Sequence, residues 1–261
     1  MLNAVAKFRQ ELTVGKKSIG IGVTLSDPLI TEAIADSVDF LWFDLEHAAM
    51  SPEKMYAHLL AARGKNKPGI VRVTQGTTPL IKTALDGGAD GIIAPQVRSV
   101  DEVKRVVNDC RYPPLGIRGF GPRVPSNYGR SLGADYLQDA NKNVFVAVMI
   151  ENVDALEVVE EIASIPGLDS LVIGPSDLSL SIGENNVYAP QTQEAMKRII
   201  KAAKNAGKFI GAGMGVDVKF ALHLAKMGVQ WLQVGQDFDH LVKAITGSYS
   251  SFHKEWEANC P

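Results

Sequence analysis

Eight short apolar runs alternate along the chain with stretches in which apolar residues follow helical spacing. The helical stretches include Asp101–Cys110 and Gln193–Ala206. Short apolar runs of this kind are typical of buried strands, and alternation of strands with helices predicts a parallel sheet with right-handed crossovers. The eight runs are Ser18–Leu25, Phe40–Glu46, Gly69–Val73, Gly91–Val97, Val144–Glu151, Ser170–Asp177, Phe209–Met214 and Trp231–Gly235.

Eight successive strand–helix units predict a closed (β/α)8 barrel, the TIM barrel, and leave a doubly wound open sheet as the alternative. No shift in composition, low-complexity tract or Pro/Ser-rich linker divides the 261 residues. Barrels of about 250 residues commonly form one domain. We therefore expect a single α/β barrel domain over residues 1–261, preceded by an amphipathic N-terminal helix at Met1–Leu12.

One connection departs from the short loops of a barrel. Residues 111–143 contain Pro113-Pro114, several glycines and four arginines, but no apolar run. Structureless loops of this length in compact domains are usually functional or disordered. The segment follows the helix after the fourth strand, so it should start at the N-terminal face of the barrel, unless it folds back across the rim or reaches another subunit.

Composition narrows the classes of partner. The chain has a net charge of −2 and 21% charged residues, which does not favour nucleic-acid or anionic-membrane binding. No apolar stretch approaches the roughly 20 residues of a membrane span, and the N-terminus carries charges where a signal peptide is apolar. Cys110 and Cys260 fit no metal or disulfide pattern. We expect a soluble, cytoplasmic protein.

Two acids end consecutive strands. Glu151 follows the run that begins at Val144, and Asp177 follows Ser170–Ser176. In parallel barrels both would lie at the C-terminal rim, where active sites are built. Either acid alone is best read as a helix cap or an ion-pair partner. Because burying a carboxylate without a partner is costly, the pair favours a cation between them.

The second strand ends in three polar residues. Alternation along a strand places Asp44 and Glu46 on the face that points into the barrel, and Leu41, Phe43 and Leu45 on the helix side. His47 comes just past the strand, where the chain can turn it over the rim. A histidine beside a carboxylate suits general-base catalysis. By itself, Asp-x-x-His is a weak signal, and a structural histidine is the alternative.

Arg72 lies near the end of the third strand, between β-branched residues. A guanidinium there needs an anion, either a neighbouring acid or a substrate carboxylate or oxyanion. The segment Gly174-Pro175-Ser176 opens the next helix, and its amides could hold a carboxylate beside the cation. Gly211–Gly215 follows the seventh strand and is interpreted as a tight turn, with ligand contact as the alternative. Asp86 ends a helix and could reach the site only across an interface or under a neighbouring loop.

Together these residues make the chain similar to the HpcH/HpaI aldolases, a family of metal-dependent class II pyruvate aldolases. The resemblance covers roughly residues 40 to 180, with a looser match at residues 234–237. The stretches that carry it, in family order, are Trp42-Phe43-Asp44-Leu45-Glu46-His47, Leu85-Asp86-Gly87-Gly88-Ala89-Asp90-Gly91, Arg111-Tyr112-Pro113-Pro114-Leu115-Gly116-Ile117-Arg118-Gly119, Ile150-Glu151 and Ile173-Gly174-Pro175-Ser176-Asp177-Leu178-Ser179.

The resemblance implies a role for each site residue. Glu151 and Asp177 would bind a divalent cation, Mg²⁺, Mn²⁺ or Co²⁺, which chelates pyruvate. Arg72 would stabilise the enolate oxygen. His47, oriented by Asp44, would act as the base, directly or through a water.

Three further expectations come from the resemblance. The amide of Ser176, in the turn with Gly174 and Pro175, would hold the substrate carboxylate. Asp86 would be a supporting or intersubunit residue. The family also implies a homohexamer, a trimer of dimers, with a C-terminal helix exchanged between neighbours, and the apolar residues of Phe238–Trp256 are compatible with that.

The implied reaction is the reversible retro-aldol cleavage of a 4-hydroxy-2-oxo acid to pyruvate and an aldehyde, the work of an aldehyde-lyase (EC 4.1.2). The alternatives are an oxaloacetate decarboxylase or macrophomate synthase-like C–C bond-forming enzyme on the same metal–enolate site, and a non-catalytic keto-acid-binding barrel. A lysine Schiff base at Lys82 is a rival mechanism, but this residue fits a solvated helix face. The sequence departs from the family pattern at residues 120–127 and at Gln236, where many relatives have serine. The identity of the aldehyde product is therefore left open.

Overall fold

Eight parallel strands close into a barrel in chain order. The structure, a computed structural model, describes residues 4–260. Each strand pairs with the next, and β8 closes the barrel by pairing with β1. The closed sheet confirms the predicted (β/α)8 barrel and excludes the open sheet. The strands are β1 Ser18–Val23, β2 Phe40–Asp44, β3 Gly69–Arg72, β4 Gly91–Ala94, β5 Phe145–Ile150, β6 Ser170–Ile173, β7 Phe209–Met214 and β8 Trp231–Gln236.

Helices follow the strands and begin at recognisable start signals. The side chains of Asp27, Ser51, Ser99, Asn152 and Asp217 each accept a backbone N–H in the first turn of a helix. Such caps fix where each helix starts and keep most loops at the strand C-termini short. The helices are α1 Ala4–Thr13, α2 Pro28–Ile34, α3 Pro52–Gly64, α4 Thr78–Asp86, α5 Val100–Cys110, α6 Tyr136–Asn143, α7 Val153–Glu157, α8 Val159–Ser164, α9 Pro175–Ile182, α10 Pro190–Asn205, α11 Val218–Met227 and α12 Asp237–Asn259.

The core has two layers, as alternation along the strands requires. On β2, Leu41 and Phe43 pack with the helices, whereas Phe40 and Trp42 fill the barrel interior. This confirms which face of β2 points inward. The interior layer also contains Ile70, Ile93, Phe145, Ala147, Met149, Val172 and Trp231.

Helix α1 closes the N-terminal end of the barrel. Its buried residues Val5, Phe8 and Leu12 belong to the interior cluster. The Phe8 ring lies 5.4 Å from that of Phe145 and 6.1 Å from that of Trp231, both edge-on. The predicted N-terminal helix is confirmed from Ala4 on, and its first three residues lie outside the described chain. Because α1 covers the N-terminal end of the barrel, a ligand would enter at the C-terminal rim.

The long connection 111–143 packs at the N-terminal face, as its starting point predicted. Arg118 in this segment donates to the carboxylate of Asp86 at the end of α4, with a distance of 2.9 Å. The last part of this connection is helical, since α6 forms there. None of residues 111–143 lines the cavity at the opposite rim, so the segment does not fold back over the site of its own chain.

Helix α12 leaves the barrel at Asp237, which is buried, and from Phe238 onward nearly all its residues are exposed. Its length is 23 residues, twice that of most other helices here. No helix in the described part of the chain is both long and apolar enough to cross a membrane.

Candidate active site

Asp44 and Arg72 form the base of the site. They are direct neighbours in the β2–β3 register, and both are buried. The guanidinium binds the carboxylate at two points, with 3.0 Å from Nε to Oδ1 and 2.5 Å from Nη2 to Oδ2. A two-point pair of this kind fixes the guanidinium plane. Of the two anions predicted for Arg72, the neighbouring acid is therefore present, while the side chain still lines the rim cavity.

Asp44 also shapes the chain that follows it. Its Oδ1 accepts the backbone N–H groups of Glu46, at 3.0 Å, and of His47, at 3.3 Å. The turn places the His47 imidazole over the rim, with 62% of the side chain exposed. Asp44 contacts His47 only through this backbone N–H, and its predicted role in orienting the imidazole stays a prediction. The carboxylate beside the ring belongs to Glu46, whose Oε2 lies 3.7 Å from His47 Nε2.

Glu46 is a site residue to which sequence reasoning assigned no role, although alternation pointed it inward. Its Oε2 lies 2.9 Å from Nη1 of Arg72, and its side chain is largely buried. Burial raises the pKa of the Glu46 carboxyl, and the positive charge of Arg72 works in the opposite direction. Glu46 therefore lies between the guanidinium of Arg72 and the exposed imidazole of His47.

Glu151 ends β5 as a buried carboxylate. Its Oε1 accepts a 2.7 Å hydrogen bond from the backbone N–H of Gln96, in the loop after β4. Its Oε2 has no hydrogen-bond or ion-pair partner among residues 4–260 and lies against Gly174, where a Cβ would be 2.5 Å away. Burial, together with the nearby carboxylates of Glu46 and Asp177, raises the pKa of Glu151 to about 7.

Asp177 lies in the first turn of α9, next to that carboxylate. Gly174 precedes the helix, Pro175 occupies its first position, and Ser176 and Asp177 follow at the surface. The backbone N–H groups of a first helical turn have no partners within the helix and attract anions. The segment thus presents backbone N–H groups close to the two acids, and their binding of a substrate carboxylate stays a prediction.

The two acids fit a hard divalent cation. Within residues 4–260, no group of three or more His, Cys, Asp or Glu is arranged to hold a metal ion. Mg²⁺ is commonly bound by one or two carboxylates and keeps substrate and water as its other ligands. The Glu151 carboxylate is buried, its pKa is raised to about 7, and one of its oxygens has no partner. A bound cation would stabilise the charged form of this carboxylate.

A cavity of about 150 Å³ opens at this rim. Gly213 and Gly215 line it, which favours ligand contact for the glycine-rich turn after β7. No lysine is among the residues that line it, and Lys82 is exposed on α4. A Schiff-base mechanism at Lys82 is therefore disfavoured. Six residues predicted for the site line the cavity: His47, Arg72, Gly174, Pro175, Ser176 and Asp177.

Asp86 is the predicted residue that the chain does not bring to the site. It ends α4 at the N-terminal face of the barrel, where Arg118 binds it. Within one chain Asp86 lies at the face opposite the site, so its role as a supporting or intersubunit residue stays a prediction. A larger cavity of about 560 Å³ at that face is lined by Arg63, Asp90 and Arg118 and contains none of the predicted site residues.

Comparison with known proteins agrees with this geometry. Residues 23–244 match the family model of the HpcH/HpaI aldolase/citrate lyase family. A hydroxypyruvate/pyruvate aldolase from Pseudomonas aeruginosa is 32% identical over 92% of this chain and 90% of its own length. A 2-keto-3-deoxy-L-rhamnonate aldolase from Escherichia coli O157:H7 is also 32% identical, over 88% of this chain and 86% of its own.

A solved structure extends the likeness to the fold. A HpcH/HpaI aldolase/citrate lyase family protein from Burkholderia cenocepacia J2315 superposes with a TM-score of 0.87 at 30% sequence identity, covering 95% of this chain and 99% of that one. Fold, rim residues and sequence similarity along nearly the whole chain agree, and the chain belongs to the HpcH/HpaI aldolase/citrate lyase family.

Proposed function

We propose that the chain is a class II, metal-dependent aldolase, an aldehyde-lyase of EC class 4.1.2. It reversibly cleaves a 4-hydroxy-2-oxo acid to pyruvate and an aldehyde. One observation carries the proposal: the Glu151 carboxylate is buried, has one oxygen without a partner and is close enough to Asp177 and Arg72 to feel both charges, and these two residues line the rim cavity. A keto-acid enolate needs two kinds of group, acids that hold a metal cation and a positively charged side chain that stabilises the enolate oxygen.

Glu151 and Asp177 would hold the divalent cation, with Mg²⁺, Mn²⁺ and Co²⁺ as candidates. A cation bound there supplies Lewis-acid polarisation of the 2-oxo group of the substrate. The backbone N–H groups at Ser176 and Asp177, at the start of α9, would receive the carboxylate of the same substrate. The substrate would thus be fixed at both oxygen-bearing ends of its 2-oxo acid group.

The remaining residues act on the reacting atoms. Arg72, held at two points by Asp44, faces the oxygen on which negative charge develops, and preorganised donors of this kind contribute about 10²–10³ in rate. His47, beside the Glu46 carboxylate, takes the proton of the C4 hydroxyl. The exposed imidazole can exchange that proton with solvent.

The test is pyruvate release from a panel of 4-hydroxy-2-oxo acids, followed by coupled lactate dehydrogenase. The assay is run with EDTA and after addition of Mg²⁺, Mn²⁺ or Co²⁺. We expect cleavage only with metal, and we expect Glu151→Gln to abolish it. The matched control is Glu157→Gln, which changes an exposed glutamate on α7. Full pyruvate release by the metal-stripped protein would overturn the proposal.

Oxaloacetate, run in parallel, distinguishes the alternatives. Turnover of oxaloacetate alone would favour the decarboxylase or the macrophomate synthase-like reaction, because decarboxylation requires enolate stabilisation but no proton removal from a C4 hydroxyl. Absence of turnover with every substrate would favour the keto-acid-binding barrel.

We propose that the chain assembles into a homohexamer, a trimer of dimers, by exchange of α12. Asp237 anchors the start of the helix through hydrogen bonds from Thr24 and Leu25 in the loop after β1, whereas Leu241 and Ile245 are 51% and 50% exposed. Exposed apolar residues on one helix face mark an interaction surface. The remaining large apolar residues of α12 are Phe238, Val242, Tyr249, Phe252 and Trp256.

The surface that such a helix would cover is also present. In a barrel the eighth helix packs between the first and the seventh, which here are α2 and α11. Leu29 on α2 is 68% exposed, and Val218 and Leu222 on α11 are 63% and 56% exposed. A partner's α12 would bury both apolar faces. In such an assembly Asp86 could also serve the site of a neighbour.

We further propose that residues 1–261 act as one barrel domain in the cytoplasm, on a small keto acid and without nucleic-acid or membrane partners. The compartment is supported by the two cysteines, of which Cys110 is buried and Cys260 exposed, both with free thiols. Unpaired cysteines are usual in a reducing compartment.

A further inference from the structure

A column of aromatic rings runs through the barrel interior from the N-terminal helix to the rim cavity. It starts at Phe8 of α1, whose ring lies 6.1 Å from that of Trp231 on β8. The Trp231 ring lies 5.9 Å from that of Trp42 on β2. Trp42 is buried, and it lines the rim cavity together with Arg72. The packed interior of the barrel therefore ends in an indole ring at the base of the site.

The guanidinium of Arg72 lies over this indole ring. Its carbon Cζ is 5.5 Å from the centroid of the Trp42 ring. A cation within about 6 Å of a ring centroid is attracted by the negative face of the ring, and tryptophan is the strongest partner. Both side chains are buried, so water screens this attraction less than it would at an exposed site.

Hydrogen bonds restrain the same guanidinium along its edges. Asp44 accepts from Nε and Nη2, and the sulfur of Met149 lies 3.8 Å from Nη1 as a weak acceptor. Because the N–H bonds of a guanidinium lie in one plane, these contacts act within that plane. The face contact with Trp42 acts in the remaining direction, perpendicular to the plane.

The position of Arg72 matters more than its net charge. Carboxylate oxygens of Asp44 and Glu46 lie 2.5 and 2.9 Å from its nitrogens, so its positive charge is already balanced within the protein. Its effect on an enolate oxygen therefore depends on directed N–H groups. Such donors act over about 2.7–3.1 Å, and a small shift of the guanidinium out of its plane would lengthen that contact.

We propose that Trp42 is a positioning residue for Arg72. Its indole face supports the guanidinium at the height from which the N–H groups reach the enolate oxygen, and the rings of Trp231 and Phe8 support the indole from below. The inference rests on the proposed aldolase function. It requires an aromatic side chain at position 42, whereas a packing role would accept any apolar side chain that fills the space.

The test compares Trp42→Phe with Trp42→Met in metal-dependent pyruvate release. Phenylalanine keeps an aromatic face, whereas methionine keeps a flexible apolar side chain that fills irregular gaps. We expect kcat of Trp42→Met to fall below that of Trp42→Phe by about tenfold, with similar KM, as expected for loss of a desolvated cation–π contact. Equal kcat values would overturn the inference.

Trp231 provides the matched control. It is also a buried indole of the column, but its N–H donates to Ser170 and its ring lies one level below Trp42. Trp231→Phe and Trp231→Met should both lower the melting temperature, and their kcat values per folded protein should be equal. A Phe–Met difference in kcat as large at position 231 as at position 42 would overturn the inference.

Fluorinated tryptophan gives a second test, which also applies if Trp42→Met does not fold. Fluorine weakens the negative face of the indole and changes its size little. In the Trp231→Phe background, Trp42 and the exposed Trp256 are the remaining tryptophans. Incorporation of difluorotryptophan should lower kcat by roughly threefold. An unchanged kcat would overturn the inference.

Binding of oxalate provides a readout that does not depend on turnover. The planar oxalate dianion resembles the pyruvate enolate, whereas pyruvate represents the ground state. With Mn²⁺ present, calorimetry should show that Trp42→Met weakens oxalate binding by about tenfold relative to Trp42→Phe and weakens pyruvate binding much less. Equal weakening of both ligands would assign Trp42 to general packing and overturn the inference.

The wild type separates failure of this inference from failure of the proposed function. Metal-dependent pyruvate release by the wild type, with equal kcat values for the two Trp42 variants, would overturn the inference and leave the aldolase standing. If oxaloacetate alone is turned over, the same variants are compared on decarboxylation, which forms the same enolate. A wild type that neither turns over a substrate nor binds oxalate would overturn the aldolase proposal, and the inference with it.

Discussion

The backbone N–H of Gln96 donates to Oε1 of Glu151 at 2.7 Å, from a residue whose φ is 53°. That left-handed conformation costs a non-glycine residue about 1–2 kcal/mol. The side chain of Gln96 is exposed and does not offset this cost. The loop after β4 thus holds an unfavourable conformation that directs an N–H group at the carboxylate we assign to the metal. Gln96 is a positioning residue for Glu151.

We expect Gln96→Val to weaken Mn²⁺ binding by roughly threefold to tenfold, because a β-branched residue tolerates the left-handed region worse and the N–H will turn away from Glu151. Titration calorimetry of the metal-free protein measures this. Asn66 is the matched control, since its φ is also 53° but it lies at the opposite face of the barrel. Asn66→Val should lower stability similarly and leave metal affinity unchanged. Equal effects of both variants on affinity would contradict the role of Gln96.

Arg72→Lys should lower kcat by about 10²–10³ with little change in KM, because lysine cannot reproduce the two-point contact with Asp44 that aims the guanidinium. Steady-state cleavage of the best 4-hydroxy-2-oxo acid measures it. Arg198 provides a control with the same geometry, since it binds Glu160 at 2.9 and 2.7 Å on the surface. Arg198→Lys should leave kcat unchanged. A rise in KM alone for Arg72→Lys would assign this residue to ground-state binding.

His47→Ala should lower aldol cleavage and spare oxaloacetate decarboxylation, because only cleavage removes a hydroxyl proton. The ratio of the two activities, measured on one preparation, is the readout. Equal loss of both would argue against His47 as the base.

The barrel was predictable because its signals are carried by residue types. Eight apolar runs, alternation on β2 and acids at strand ends indicated the barrel and placed Asp44, Arg72 and Glu151 at one rim. The N–H of Gln96 was not predictable, because a backbone donor leaves no residue-type signature. The position of Asp86 at the end of a helix allowed contact with a site only across an interface or under a neighbouring loop, and the sequence of one chain does not show what a neighbouring subunit brings there.

The half-buried carboxyl of Asp90 predicts a pH dependence of stability. Burial raises its pKa from 3.8 to about 6, although Gly69 N–H donates to it. Between these values the folded chain keeps a proton that the unfolded chain has released, so the free energy of unfolding falls as pH rises from 4 to 6. Relative to the wild type, the free energy of unfolding of Asp90→Asn should therefore increase across that pH window by on the order of 2 kcal/mol. Urea unfolding with EDTA measures it, and Asp139→Asn, at an exposed acid, should show no such trend.

Ile245→Asp should dissociate the assembly. The residue is 50% exposed on the apolar face of α12, and a partner's barrel would bury it together with a charge that has no counter-ion. Size-exclusion chromatography with light scattering should show a hexamer for the wild type and a smaller species for the variant. Ser250→Asp adds the same charge well away from the apolar face of that helix and should keep the hexamer. A monomeric wild-type protein, or equal dissociation by both variants, would contradict exchange of α12.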